Sequence, residues 1–138
     1  MRPLKVLILE NNPFQLMALH QMLNAFRIFD VLTAESVGSA RESLHKCGAV
    51  DVAICDLYMD SSLGLELISE LARKRSARAV IILSAAAPPA IESAALMAGK
   101  QGLKVLGCLP KPVTLGGLGQ LLDSYQRTCP SAGSVNTN

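Results

Sequence analysis

Polar residues that could act together stand at the ends of short apolar runs. Glu10 and Asn11 follow Val6-Leu7-Ile8-Leu9, Asp56 follows Val50 to Cys55, Ser84 follows Ala79 to Leu83, and Lys111 comes just after Leu103 to Leu109. A carboxylate can attack phosphorus to give an acyl phosphate when the incoming charge is neutralised. Asp56 is the candidate nucleophile. Lys111 offers a point charge for one phosphoryl oxygen, Ser84 a hydrogen bond for another, and the small side chain of Ala85 leaves the group room to enter. Glu10, Asn11 and Asp56 carry the oxygen donors that Mg2+ prefers. Taken singly, each is as readily a solvated or capping group, and Lys111 alone would pass for a loop lysine. Only a fold that gathers them gives them a shared chemistry.

The hydrophobic pattern supplies such a fold. The apolar runs are too short for helices and rich in aliphatic or β-branched residues, as strands buried on both faces are. Between them lie segments of helical period. Asn12 and Pro13 open the first, with Leu16, Leu19, Leu23 and Phe26 at helical spacing. Phe29 to Ala34 reads as the second strand, Ser36 caps the second helix and Gly48 ends it. The third helix is expected from about Gly64 to Arg75, the fourth from Pro88-Pro89, and the fifth from about Leu115 to Gln126. Five βα repeats with right-handed crossovers predict an α/β fold: an open, doubly wound, five-stranded parallel sheet between two layers of helices. Ligands of such sheets bind outside the carboxyl ends of the strands, where the polar residues fall.

Composition narrows the function. A chain of 138 residues, half of them apolar, fits one domain with a full core. We expect that domain over residues 1–127, and a linker or disordered tail over 128–138, which is rich in Ser, Gly, Asn and Thr. Thirteen basic against eleven acidic residues leave no excess for a phosphate backbone, so nucleic acid is not an expected partner. The first residues carry no signal peptide and no membrane span, so the expected location is cytoplasmic. Cys47, Cys55, Cys108 and Cys129 are scattered and form no Cys-x-x-Cys pair; buried or incidental thiols are the better reading. Gly116-Gly117-Leu118-Gly119 lacks the Lys-Ser/Thr partner of a phosphate cradle. Arg73, Lys74, Arg75 and Arg78 read as a solvated helix end, and His20 and His45 as ordinary helix residues.

Over residues 4 to 126 the chain resembles the receiver domains of two-component response regulators. Val52-Ala53-Ile54-Cys55-Asp56-Leu57-Tyr58-Met59 with Gly64 resembles their phosphoacceptor segment, Val80 to Ala85 their hydroxyl strand, and Leu109-Pro110-Lys111-Pro112 their lysine-proline turn. The wording of Asp51 to Asp56 and of Leu106 to Pro112 is similar to receivers fused to Glu-Ala-Leu-type cyclic-di-GMP phosphodiesterases. The resemblance implies a flavodoxin-like (βα)5 fold. It implies that Asp56 accepts a phosphoryl group from a sensor histidine kinase or phosphotransfer protein, with Mg2+ held by Glu10, Asn11, Asp56 and the backbone carbonyl of Tyr58. It further implies relay to an output domain or partner, such as a cyclic-di-GMP phosphodiesterase, without enzymatic turnover by this domain itself.

Three positions depart from the family pattern. Neutral Asn11 stands where an Asp is usual, which predicts weak magnesium binding; Cys108 replaces a frequent aromatic, so no aromatic rotamer switch is expected; and Asp60 replaces a frequent Pro. Asn11 also leaves open an alternative, a pseudo-receiver that regulates a partner without phosphorylation. An aspartyl phosphohydrolase is disfavoured, because Tyr58 stands where its second Asp would be. The Ala-rich fourth helix, with Ile91, Leu96 and Met97, and the glycines of the fifth predict a weak homodimer through helix four, strand five and helix five.

Overall fold

The computed structural model describes residues 3–57, 61–83 and 88–128. Strand β1 (Lys5–Leu9) leads to α1 (Pro13–Ala25), β2 (Asp30–Ala34), α2 (Val37–Cys47), β3 (Val50–Asp56), α3 (Ser61–Arg73), β4 (Ala77–Leu83), α4 (Pro88–Lys100), β5 (Lys104–Leu109) and α5 (Leu115–Thr128). The strands form one parallel sheet in the order β2-β1-β3-β4-β5. The order in which the chain adds strands reverses between β1 and β3, which places the switch point at the carboxyl ends of these two strands.

Alternation along the strands builds a core on each face. Leu7, Leu9, Ala53, Cys55, Val80 and Ile82 point to one side, where Val37 and Ala40 of α2, Leu67, Ile68 and Leu71 of α3, and Ala98 of α4 cover them. Val6, Ile8, Val52, Ile54, Ile81 and Leu83 point to the other, against Leu19 and Leu23 of α1 and Leu118, Leu122 and Tyr125 of α5. Every residue of β3 is buried, as the middle strand of a three-layer sandwich requires. The three-layer, doubly wound, flavodoxin-like architecture expected from the repeats is the one observed.

Helix ends follow the local chemistry. Asn12 Oδ1 accepts from the amides of Phe14 (3.0 Å) and Gln15 (3.1 Å), and Pro13 takes the first turn, where no amide hydrogen is needed. Ser36 Oγ accepts from Ser39 N at 3.0 Å, and Gly48 ends α2 with φ 86°. The bounds differ in places from the pattern. Helix α3 begins at Ser61, three residues before Gly64, and stops at Arg73, two before Arg75, which adopts φ 53°. Strand β4 starts at Ala77 rather than Ala79, because Ala77 pairs with Val50 at the open end of β3. Phe29 lies outside β2 and is largely exposed, and Phe26 closes α1 from its C-cap rather than entering the core. Helix α5 runs on through Thr128, the first residue of the expected tail, while residues 129–138 lie outside the described part.

One carboxylate sits where the apolar pattern gave no role to it. Asp51, near the start of β3, is 2% exposed; its Oδ2 accepts from Lys5 N at 2.9 Å and its Oδ1 from the Tyr125 hydroxyl at 3.2 Å. These bonds fasten α5 to β1 and β3 at the end of the sheet remote from Asp56, and satisfy a charge that burial would otherwise make costly.

Candidate functional site

Strand register gathers the site. Leu9 pairs with Cys55 and Asp56 with Leu83, so the residues just beyond β1 and at the end of β3 emerge side by side. Glu10 is held there by its own amide, which donates to Ala34 O at 3.0 Å, and Leu57 N donates to Leu83 O at 2.8 Å, extending the ladder past Asp56. Both carboxylates are deeply buried, Glu10 at 0% and Asp56 at 1% exposure.

The loop after β5 brings Lys111 between them. Its Nζ donates to Asp56 Oδ2 at 2.8 Å and lies 2.8 Å from Glu10 Oε1. The Lys111–Pro112 peptide bond is cis. One ammonium thus contacts two carboxylates. Burial raises the Glu10 pKa above the ordinary carboxylate value, more than the Lys111 ammonium and the amide of Asn12 lower it, and neighbouring Asp56 adds to the rise. For Lys111 burial acts downward, but the bonds to Asp56 and Glu10 outweigh it and the ammonium is held above its usual value. Charged Lys111 is therefore a fixed feature of the site at neutral pH.

Glu10 Oε2 accepts from Asn12 N at 3.1 Å, and Oε1 is buried against the Lys111 ammonium at 2.8 Å in an ion-pair contact. A buried carboxylate oxygen with a spare lone pair, beside a second carboxylate, is a donor set suited to a hard divalent cation. Among the described residues no group of three or more His, Cys, Asp and Glu gathers to hold a metal, and Asn11, next to Glu10, is exposed and neutral. Of the residues singled out from the sequence, Glu10, Asp56 and Lys111 are brought together, and Asn11 adjoins them. Tyr58, Asp60, Ser84 and Ala85 lie outside the described residues.

Other expectations meet mixed outcomes. Cys55 is fully buried and desolvation pushes its thiol up to about 12, so it is an inert core residue. Cys108, whose apolar run suggested burial, is exposed on β5, the edge strand. The glycine run at 116–119 is helical, its start capped by Thr114 Oγ1, which accepts from Gly117 N at 3.0 Å. Arg73, Lys74 and Arg75 are exposed at the end of α3, as read, whereas Arg78, also exposed, belongs to β4 and not to the helix end. Gln15 was passed over: its Oε1 is buried and unpartnered at the base of α1, and nothing in the helical period marks it.

Comparison with known proteins agrees with the architecture. Residues 6–123 match the family model of the response regulator receiver domain. The chain is 34% identical over 125 residues to the cyclic di-GMP phosphodiesterase RocR of Pseudomonas aeruginosa, covering 91% of this chain but 32% of that protein. It is 37% identical over 83 residues to the transcriptional regulatory protein UhpA of Salmonella typhimurium, 59% of this chain and 41% of the relative. The chain therefore spans well under half the length of these two relatives. Among solved structures, a response regulator from Colwellia psychrerythraea superposes with a TM-score of 0.72 at 23% identity, over 91% of this chain and 98% of that one. The chemotaxis protein CheY4 of Vibrio cholerae gives 0.73 at 20%, over 89% and 98%. With five parallel strands in flavodoxin order, two carboxylates and a lysine at their carboxyl ends, and a family match over nearly the whole chain, this protein belongs to the response regulator receiver domain family.

Proposed function

We infer that Asp56 of this receiver accepts a phosphoryl group from a histidine kinase or phosphotransfer protein, and that the phosphorylated domain signals to an output domain or partner. The observation that carries the reading is Lys111 Nζ at 2.8 Å from Asp56 Oδ2 and from Glu10 Oε1. An ammonium already seated at the nucleophile is preorganised for a phosphoryl oxygen and needs no rearrangement when charge arrives. Ser84 holds a second oxygen. Glu10, Asn11, Asp56 and the backbone carbonyl of Tyr58 would hold Mg2+, which would supply positive charge to neutralise the phosphoryl group. The carboxylate of Asp56 attacks phosphorus and the donor's nitrogen or oxygen departs with the bonding pair, so the domain is changed covalently without turning over a separate substrate.

Similarity to RocR supports a cyclic di-GMP phosphodiesterase as the output, and the polar composition of residues 128–138 supports a receiver unit over residues 1–127 followed by a linker or tail. Among the described residues no helix is long and apolar enough to cross a membrane. A pseudo-receiver acting only as a scaffold has no physical need to hold a charged lysine against two buried carboxylates, so phosphorylation is the better reading. The experiment is intact mass after incubation with a small acyl-phosphate donor and Mg2+. The wild type gains one phosphoryl group and Asp56→Asn gains none; equal labelling of the two removes Asp56 from the role.

A further inference from the structure

We propose that the amino end of the sheet is a docking face for an anionic lipid bilayer, with the cations around the starts of β4 and β5 against phosphate headgroups and Phe29 in the interfacial layer. Charge is sorted along the strands. Arg73, Lys74 and Arg75 close α3 just before β4, Lys100 ends α4 and Lys104 opens β5, and all five are exposed. They stand at one edge because α3 and α4 cover the same face of the sheet and β4 pairs with β5, Ala79 against Lys104. Exposed Glu35, Glu66 and Glu92 lie toward the other end, where Lys111 is drawn in to Glu10 and Asp56. A net charge of only +2 thus conceals a molecule with one basic end.

Helix dipoles account for Arg73 and Lys100, which sit in last turns, but not for Arg75 in a turn or Lys104 on a strand. Carboxylates near the basic end are already engaged. Glu70, which feels the charges of Arg73 and Lys74, is held by Arg41 through bonds of 2.6 and 3.0 Å, and buried Asp51 accepts from Lys5 N and Tyr125. Two features select a bilayer among polyanions. No aromatic residue is interleaved in 73–78 or 100–104, so bases would find nothing there to stack on. Phe29, 69% exposed, immediately precedes β2 at the same end of the sheet, close in sequence to exposed Arg27. From β2 to β4 is three strand spacings, roughly 14 Å, so a partner that meets both Phe29 and the cations must be broad and flat. An exposed aromatic ring enters a membrane interface, where apolar burial and basic charge add to one another. Exposed Asp30 beside Phe29 opposes the attraction, and Arg27 with the five other cations outweighs it. Docking in this way leaves the Asp56 end, roughly 20 Å away along the strands, turned from the bilayer. The inference goes beyond phosphoryl acceptance and does not depend on it.

The test is co-sedimentation of the chain with vesicles of phosphatidylcholine alone and of equal parts phosphatidylcholine and phosphatidylglycerol, at low and physiological salt. The mixed vesicles bind at least about tenfold more tightly, and salt weakens them. Each Lys or Arg at an anionic surface is worth roughly fivefold, so Arg73→Gln, Lys74→Gln, Lys100→Gln and Lys104→Gln together cost at least about a hundredfold. If that fourfold variant loses its fold, Arg73→Gln with Lys74→Gln decides, at a loss of at least about tenfold. The chain has no Trp, so the indole introduced by Phe29→Trp is a sole reporter, and its emission shifts to the blue on the mixed vesicles only. Equal binding to both vesicles, binding unchanged by the charge variants, or an indole that stays solvated would each overturn the proposal. Tight binding of a DNA duplex with none of the mixed vesicles would also overturn it and make the face a nucleic-acid site.

Discussion

Lys111 answers two buried carboxylates, and the residue that would normally alter that balance is Asn11. An Asp at position 11 would bring a third negative charge to the mouth of the site. At an effective dielectric near 20, a unit charge about 4 Å away is worth roughly 4 kcal/mol per charge before screening, and Mg2+ carries two. About 1.4 kcal/mol of that suffices for a tenfold change. Asn11→Asp therefore tightens Mg2+ binding at least about tenfold, read by metal titration; equal affinity of the two proteins would show that Glu10 already supplies the missing attraction. At the opposite end of the sheet Tyr125 is pushed up to about 12, first by burial and then by the charge and hydrogen bond of Asp51. Its folded value lies above the ordinary value of about 10, so its bond to Asp51 stabilises fully below pH 10 and is lost as pH rises toward 12. Tyr125→Phe should cost about 1–3 kcal/mol near neutrality, because Asp51 Oδ1 is left buried without that donor. The gap between the two proteins in denaturant melts then narrows between pH 10 and 12; a constant gap would contradict the assignment. Glu10, Asp56 and Lys111 could be read from the sequence because each sits at the end of an apolar run. The partners of Asp51 and the burial of the Gln15 amide oxygen could not, since a tertiary contact to α5 and a cavity wall leave no periodic trace.

Helix α5 shows how glycines in one run can have different reasons. Gly116 faces open space, whereas a Cβ on Gly119 would stand 2.8 Å from Phe26 Cζ. Gly116→Ala should therefore stabilise by up to about 1 kcal/mol through lower unfolded-state entropy and better helix propensity. Gly119→Ala should gain less than Gly116→Ala, because the ring of Phe26 must move aside and offsets the same gain in helix propensity. Denaturant midpoints of the two variants check this, and a larger gain at Gly119 than at Gly116 would contradict the packing described. The same contact explains why Phe26, in register with Leu16, Leu19 and Leu23, is not a core residue: it caps α1 and leans on α5. Strand positions were legible because buried parallel strands are continuous apolar runs. Their ends were less so, since Ala77 joins β4 by pairing with Val50, a relation between strands that neither segment reveals alone.

At the scale of the whole molecule, period and turn chemistry were enough to give five βα units, and handed crossovers left an open sheet as their arrangement. What assembles with that sheet is a matter for its outer faces. Leu96 on α4 is 64% exposed and Leu115 at the start of α5 is 48% exposed. Leu96→Glu should abolish the weak dimer proposed through α4, β5 and α5 in sedimentation velocity; a wild type that stays monomeric up to high concentration would rule that dimer out. The central claim is narrower and concerns one bond. An acyl phosphate on an Asp is reduced by borohydride to homoserine, which peptide mass spectrometry locates in the chain. After treatment with an acyl-phosphate donor and Mg2+, the account predicts homoserine at position 56 of the wild type and nowhere else. Homoserine at another carboxylate, or none where intact mass shows a phosphoryl group, would contradict it.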